Sequence, residues 1–289
     1  MCFSPNWTST WSQEYAINRS ASEQHWQGSS AVTRNKFEKI CFISNGSDQS
    51  KAALQELVVL YGNCEFDDAD IIVALGGDGL MLETLHRVMD RNIPVYGMNF
   101  GSIGFLMNEF HTENLRDRLH AAEQSDIHPL RMQVTTKEGE THEALALNEV
   151  SLLRSSYQAA KLQILIDGKT RLDELVCDGI LVATPAGSTA YNLSAHGPIL
   201  PIDSPLLALT PISPFRPRRW RGAILSNRAE VTLIPHEVDK RPVNAVADSK
   251  PFKKITKVSI KEDRSHKVTL LFDPGHSLDE RVLNEQFGY

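Results

Sequence analysis

Gly76-Gly77-Asp78-Gly79 sets one carboxylate among three glycines, directly after the apolar run Ile71 to Leu75. That run is rich in β-branched residues and reads as a strand buried on both faces. From Leu80 onward, Leu80, Met81, Leu82, Leu85, Val88 and Met89 recur at the spacing of one helix face. A strand, a glycine-rich loop and a helix in that order can hold phosphate on backbone N–H groups. Glycine also permits φ > 0 and close approach of another molecule. Gly76 and Gly77 are the candidates to cradle such a phosphate. Asp78 is a poor phosphate ligand but a good proton acceptor or hydroxyl ligand. The loop has neither the Lys-Ser/Thr of a P-loop nor Gly-x-Gly-x-x-Gly spacing. The competing interpretation is a tight turn in which Asp78 only caps the helix.

Two further stretches can carry chemistry. Asn148-Glu149 ends the apolar run from Ala144 and can bind hydroxyls and amide-like ring edges, or simply wet a strand end. Thr184-Pro185-Ala186-Gly187-Ser188-Thr189-Ala190-Tyr191 is dense in hydroxyls and small residues and carries one aromatic ring. Such a mixture suits a ring and a sugar better than a protein core. Asn192-Leu193-Ser194 continues it, and Cys177-Asp178-Gly179 precedes the intervening strand. His196 reads as a packing or hydrogen-bonding histidine. Arg216, Arg218, Arg219 and Arg221 cluster near Trp220 and read equally as a phosphate contact or a solvated patch.

The elements that must position these residues change character along the chain. Residues 1–35 are polar and without sustained period, and are expected to be a disordered extension. From Lys39 to Gln124, strand and helix alternate: Ile40 to Ile43, Gln49 to Tyr61, the Asp78 unit, Pro94 to Met98, then a helix over Glu113 to Gln124. That alternation predicts a Rossmann-like parallel α/β sheet over 36–127, with ligands beyond the carboxyl ends of its strands. From His128 the pattern becomes short extended runs, with Asp167-Gly168 as a hairpin turn. It predicts a β-rich domain over 128–272. Leu278 to Phe287 reads as a helix in the closing segment 273–289, packing back on the first domain.

The totals narrow the class. In 289 residues, 41% hydrophobic and 23% charged content is that of an ordinary globular protein. A net charge of −6 argues against broad nucleic-acid binding. No apolar run approaches the ~18 residues of a spanning helix, and no secretory leader is evident. The four cysteines form no metal-ligand spacing, which points to reduced thiols in a cytoplasm.

In combination and in fixed order, these motifs resemble the bacterial NAD kinase family. The order is Gly76-Gly77-Asp78-Gly79, then Gly101-Ser102-Ile103-Gly104-Phe105-Leu106, Asn148-Glu149, Asp178-Gly179, the Thr184 to Tyr191 block and Thr210-Pro211-Ile212-Ser213-Pro214. The glycine–aspartate loop alone is shared with phosphofructokinases and diacylglycerol kinases; the Thr184 block with Asn148-Glu149 is much more specific. The resemblance covers roughly Lys39 to the C-terminus. It implies an α/β domain followed by a β-sandwich-like domain, assembled as a homodimer or homotetramer. It implies transfer of a phosphoryl group from ATP, or polyphosphate, to the 2′-hydroxyl of the adenosine ribose of NAD, with Mg²⁺ carried on the donor and no dedicated metal site. In that scheme Asp78 is the proton acceptor and Gly79 supports it. Asn148 and Glu149 hold the adenine end and ribose hydroxyls. Asp178 contacts a base or the nicotinamide amide. Thr189, Ala190, Tyr191, Asn192, Leu193 and Ser194 line the dinucleotide pocket. Two positions depart from the family pattern: Ala186 stands where many members have Thr or Ser, and Lys250 where they often have Gln. Other expectations are a sugar-phosphate or lipid kinase on a related loop, and a dinucleotide sensor without turnover.

Overall fold

The computed structural model describes residues 37–100 and 104–287. The extension expected over 1–35 and the motif residues Gly101 to Ile103 lie outside the described residues. The first sheet runs in the order Ile40–Ser44, Ile71–Leu75, Val95–Asn99, Val268–Phe272, Glu123–Ile127. The first four strands are mutually parallel, and Glu123–Ile127 is antiparallel to its neighbour. Alternation explains why the central strand is wholly apolar. Ile71, Val73 and Leu75 face the helices Asp48–Tyr61 and Leu115–Ala121, while Ile72 and Ala74 face the helix Asp78–Val88. Ser47 starts the helix Asp48–Tyr61 by accepting from the Ser50 N–H at 3.2 Å.

Two details depart from the expected parallel domain. The sheet is mixed, because the helix expected over Glu113 to Gln124 ends at Ala121 and the chain becomes an edge strand. The run Val268–Phe272, whose pattern groups it with the β-rich part, inserts into the first sheet instead. A local polar network anchors that return. Asn108 donates to Gly97 O and Leu271 O, and Asp273 accepts from the Tyr96 hydroxyl at 2.6 Å and from Arg118 at 2.6 Å. The helix Leu278–Phe287 follows, and Leu278 joins the core on the face of the helix Asp78–Val88.

The β-rich part is two antiparallel sheets closed on a shared core. One contains 130–136, 141–146, 160–166, 169–177, 231–235 and 255–262; the other contains 149–154, 179–183, 206–212, 223–226, 243–247 and 250–252. Leu130, Met132 and Val134 from one sheet meet Val150, Leu152, Ile180 and Val182 from the other, at period two. Asp167 and Gly168 take φ of 52° and 74°, as a two-residue hairpin loop requires. The apolar run from Ala144 is not one strand. It breaks at Leu147 and Asn148, where the chain crosses from the first of these sheets to the second.

Candidate active site

Asp78 opens its helix, but the cap is Gly77, and no side-chain cap bond forms. The capping interpretation therefore does not describe this loop. The Asp78 carboxylate instead reaches across to the segment after Val95–Asn99. Its Oδ2 accepts from the Phe105 N–H at 2.8 Å and its Oδ1 from the Leu106 N–H at 2.9 Å. Two such bonds fix the carboxylate and leave it further lone pairs. Gly104 makes the approach possible, since a Cβ there would lie 2.4 Å from Asp78 Oδ1. Behind it, Arg281 donates to Gly104 O at 3.0 Å from the C-terminal helix.

The loop glycines serve space, not backbone conformation. None of Gly76, Gly77 and Gly79 has positive φ. A side chain on Gly76 would strike Leu80 Cδ2 at 2.9 Å, while Gly77 and Gly79 have nothing within 4 Å of a built Cβ. Gly77 and Gly79 thus leave room for a molecule to lie against the helix start.

Asp78 faces a cleft of about 290 Å³ lined with Gly79, Leu82, Phe105, Leu106, Asn148, Ala186, Thr189 and Ala190. The wall of the cleft away from Asp78 is held by hydrogen bonds between segments far apart in sequence. Thr184 Oγ1 donates to Leu147 O at 2.7 Å and accepts from the Gly187 N–H at 3.0 Å. Gly187 packs so tightly that a Cβ would sit 2.1 Å from Asn148 O. Asp248 takes the N–H groups of Leu147, Asn148 and Glu149 at 2.7, 2.9 and 3.2 Å, which satisfies the backbone where the chain changes sheets. Glu149 accepts from the Tyr191 N–H, and its Oε2 is buried without a partner. Burial, with the Asp248 charge next in size, pushes its carboxyl up to about 7.

Other expected site residues stand differently. Asn192 is buried, and its amide is spent on the loop itself, with bonds to Ser188 O, Pro198 O and the Thr210 hydroxyl. Tyr191 is 37% exposed, and neither it nor Leu193 and Ser194, which follow it on the short helix, lines the cleft. Asp178 is not brought to the cleft. It lies before the strand Gly179–Ala183, ~20 Å along the chain from Thr184 at 3.3 Å per residue, and it pairs with Arg154 at 2.6 Å. Motif reading did not single out His86, about two turns beyond the motif on the Asp78 helix, or Arg281, on the C-terminal helix, nor the accepting role of Asp248.

A second cavity of about 690 Å³ adjoins the first and shares Gly79 and Leu82 with it. Its far wall carries Ser249 and Lys250. A carboxylate on a glycine loop at the carboxyl end of a parallel strand, facing a cleft walled by a β-sandwich, defines a two-lobed nucleotide-handling class. The family descriptions ATP-NAD kinase N-terminal domain and ATP-NAD kinase C-terminal domain match residues 19–127 and 147–267. The chain belongs to the NAD kinase family.

Relatives agree over most of the length. The NAD kinase of Rhizobium meliloti strain 1021 is 57% identical over 252 residues, 87% of this chain and 98% of that one. That of Brucella suis is 58% identical over 246 residues, 85% of this chain and 96% of that one. Among solved structures, an NAD kinase from Archaeoglobus fulgidus in complex with ATP aligns with TM-score 0.68 at 25% identity, covering 85% of this chain and 96% of that one. Yeast NADH kinase complexed with NADH shares the fold, with TM-score 0.75 at 20% identity over 89% of this chain and 92% of that one.

Proposed function

We propose that the protein converts NAD to NADP, with Asp78 taking the proton of the ribose 2′-hydroxyl as that oxygen attacks the γ-phosphorus of ATP. The P–O bond to the β-phosphate breaks, and ADP leaves. The observation that carries this is the Asp78 carboxylate, pinned by Phe105 and Leu106 at the mouth of a cleft shared with Asn148 and Ala186. Phosphoryl transfer asks a protein mainly for positioning and charge stabilisation. The lobes divide that work. Residues 36–127, with the returning strand and last helix, bring the base; residues from 128 onward bring the dinucleotide contacts. The two adjoining cavities give room for an acceptor beside a donor.

Among the described residues, no group of three or more His, Cys, Asp or Glu is placed to hold a metal ion. Mg²⁺ is taken to enter on the donor phosphates, as part of the substrate MgATP. Polyphosphate is the alternative donor. No helix among the described residues is long and apolar enough to cross a membrane. A cytoplasmic homodimer or homotetramer completes the proposal, supported by family membership and by the free thiols Cys41, Cys64 and Cys177.

The test is direct. Incubated with NAD and MgATP, the protein is expected to form NADP, assayed with an NADP-specific dehydrogenase. Parallel reactions with polyphosphate and with NADH read donor and acceptor range. NAD binding with no NADP formed under any donor overturns the proposal in favour of a sensor.

A further inference from the structure

Asp248 is the buried hub of the dinucleotide wall, its side chain 1% exposed. Its Oδ1 accepts from Asn148 N and Glu149 N, and its Oδ2 accepts from Leu147 N and from His86 Nε2, the last at 2.7 Å. The Asp248 N–H in turn donates to Glu149 O at 3.1 Å. Both oxygens are occupied as acceptors, so the His86 nitrogen must be the donor. The three backbone donors all belong to the sheet crossover. His86 belongs to the helix Asp78–Val88.

That placement adds a polar tie between two parts of the site that otherwise meet only through apolar packing, with Leu147 and Ala186 in one buried cluster with Met81, Leu85 and Val88 of the helix. Asp78 and His86 stand eight residues apart on one helix, ~12 Å along its axis. Gly79, Leu82, Glu83 and His86 line the larger cavity from one side, and Ala247, Ser249 and Lys250 line it from the other. The bond from His86 to Asp248 crosses between those walls. It ties the helix that presents the base to the crossover that presents Asn148 and Glu149.

We propose that His86 is a positioning residue for NAD: through Asp248 it holds the Leu147–Glu149 backbone at a fixed distance from the helix that carries Asp78. This rests on the function proposed above. Without the imidazole, Asp248 keeps three backbone donors, so the crossover stays folded and keeps its apolar packing on the helix but loses the directional bond that sets the distance between them. Asn148, which lines the cleft, and Glu149 beside it are binding groups in the proposed reaction and take no part in the chemical step. Loosening them therefore raises KM and leaves kcat little changed. A residue that merely supported the fold would lower the active fraction at constant KM.

The test compares full-length His86→Ala and His86→Gln with the parent. Glutamine carries an amide N–H where Nε2 stood. Steady-state kinetics are measured over a range of NAD at saturating MgATP, NAD binding is measured by calorimetry without donor, and thermal unfolding is followed alongside. His86→Ala is expected to raise both KM and Kd for NAD about tenfold with kcat within about threefold, and His86→Gln to return both to within about threefold of the parent. Unchanged KM and Kd in the alanine variant, a glutamine variant as impaired as alanine, or loss confined to kcat each overturns the proposal. Should the alanine variant not fold, His86→Asn, whose amide is too short to reach Asp248, takes its place in the comparison. The calorimetric arm needs no turnover. It therefore tests His86 even if the parent makes no NADP, which would count against the proposed reaction instead.

Discussion

Gly104 meets the Asp78 carboxylate with a bare Cα, and a Cβ there would stand 2.4 Å from Oδ1 and 2.9 Å from Cγ. The backbone on either side of this contact comes from two different parts of the first sheet, and Arg281 closes it from behind through Gly104 O. Gly104→Ala must therefore push the carboxylate off the Phe105 and Leu106 N–H groups or open the turn that bears them. Since Gly104 is partly exposed, the fold can absorb this more easily than the chemistry can. Turnover is expected to fall at least ~10-fold, because small misplacements of a reacting group are costly. A variant with parent kcat would show that the cradle does not set the reaction geometry.

Asp78→Asn tests the base itself, and the structure alters what that substitution means. Asparagine is isosteric, yet only one of its two terminal atoms can accept a hydrogen bond. Its amide nitrogen would face either Phe105 N–H or Leu106 N–H, donor against donor. The variant thus loses the proton acceptor and half of the cradle. Turnover is expected to drop ~10²–10⁴-fold, with a stability loss of ~1–3 kcal/mol from the unpaired donor. NAD affinity, measured by calorimetry, should change little. Near-parent turnover would remove Asp78 from the chemistry.

Ala186 lies 4% exposed on the wall of the cleft and brings no hydroxyl to it. Ala186→Ser adds one donor–acceptor group to the cleft wall without adding a branched side chain. One hydrogen bond to a neutral partner is worth ~0.5–1.5 kcal/mol. KM for NAD is accordingly expected to fall about 2–10-fold, with kcat unchanged. A rise in KM would mean that the ring packs flat against the methyl group and has no edge there to meet.

Local order was legible where it alone decides the outcome. The Ile71–Leu75 strand, the Asp78 helix and the Asp167-Gly168 hairpin follow from periodicity and turn chemistry. The placement of Val268–Phe272 does not, because an apolar run of five residues pairs equally well with either sheet. What selects the first sheet is Asn108, Tyr96 and Arg118 gathering around Asp273, partners 155 or more residues away in sequence. The break at Leu147-Asn148 was hidden for a similar reason. Its cause is a carboxylate about 100 residues later that satisfies three consecutive N–H groups. In the site, composition picked out Asp78, Asn148, Ala186, Thr189 and Ala190, which share one cleft. It also picked out Asn192, whose amide turns inward to hold its own loop, and Asp178, which the strand direction carries to the other end of the sheet.

Glu149 offers a prediction in which the sign can be worked through. Its carboxyl is raised from 4.5 to about 7 by burial and then by the Asp248 charge, against one opposing N–H from Tyr191. In the unfolded chain it ionises near its ordinary value. Below that value both states hold the proton, and the group contributes no pH dependence. Between about 4.5 and 7 the folded protein holds a proton that the unfolded chain has released, so stability falls as pH rises. The slope is at most ~1.4 kcal/mol per pH unit for one proton. Above 7 both states are ionised, and the penalty is constant. Glu149→Gln removes the charge and keeps the shape. The difference in unfolding free energy, variant minus parent, is therefore expected to grow from pH 5 to pH 7 and level off beyond it. Denaturant titrations at half-unit intervals of pH read that curve. A difference that stays flat across the window would mean that Glu149 is ionised throughout and that its buried Oε2 finds a donor in solution.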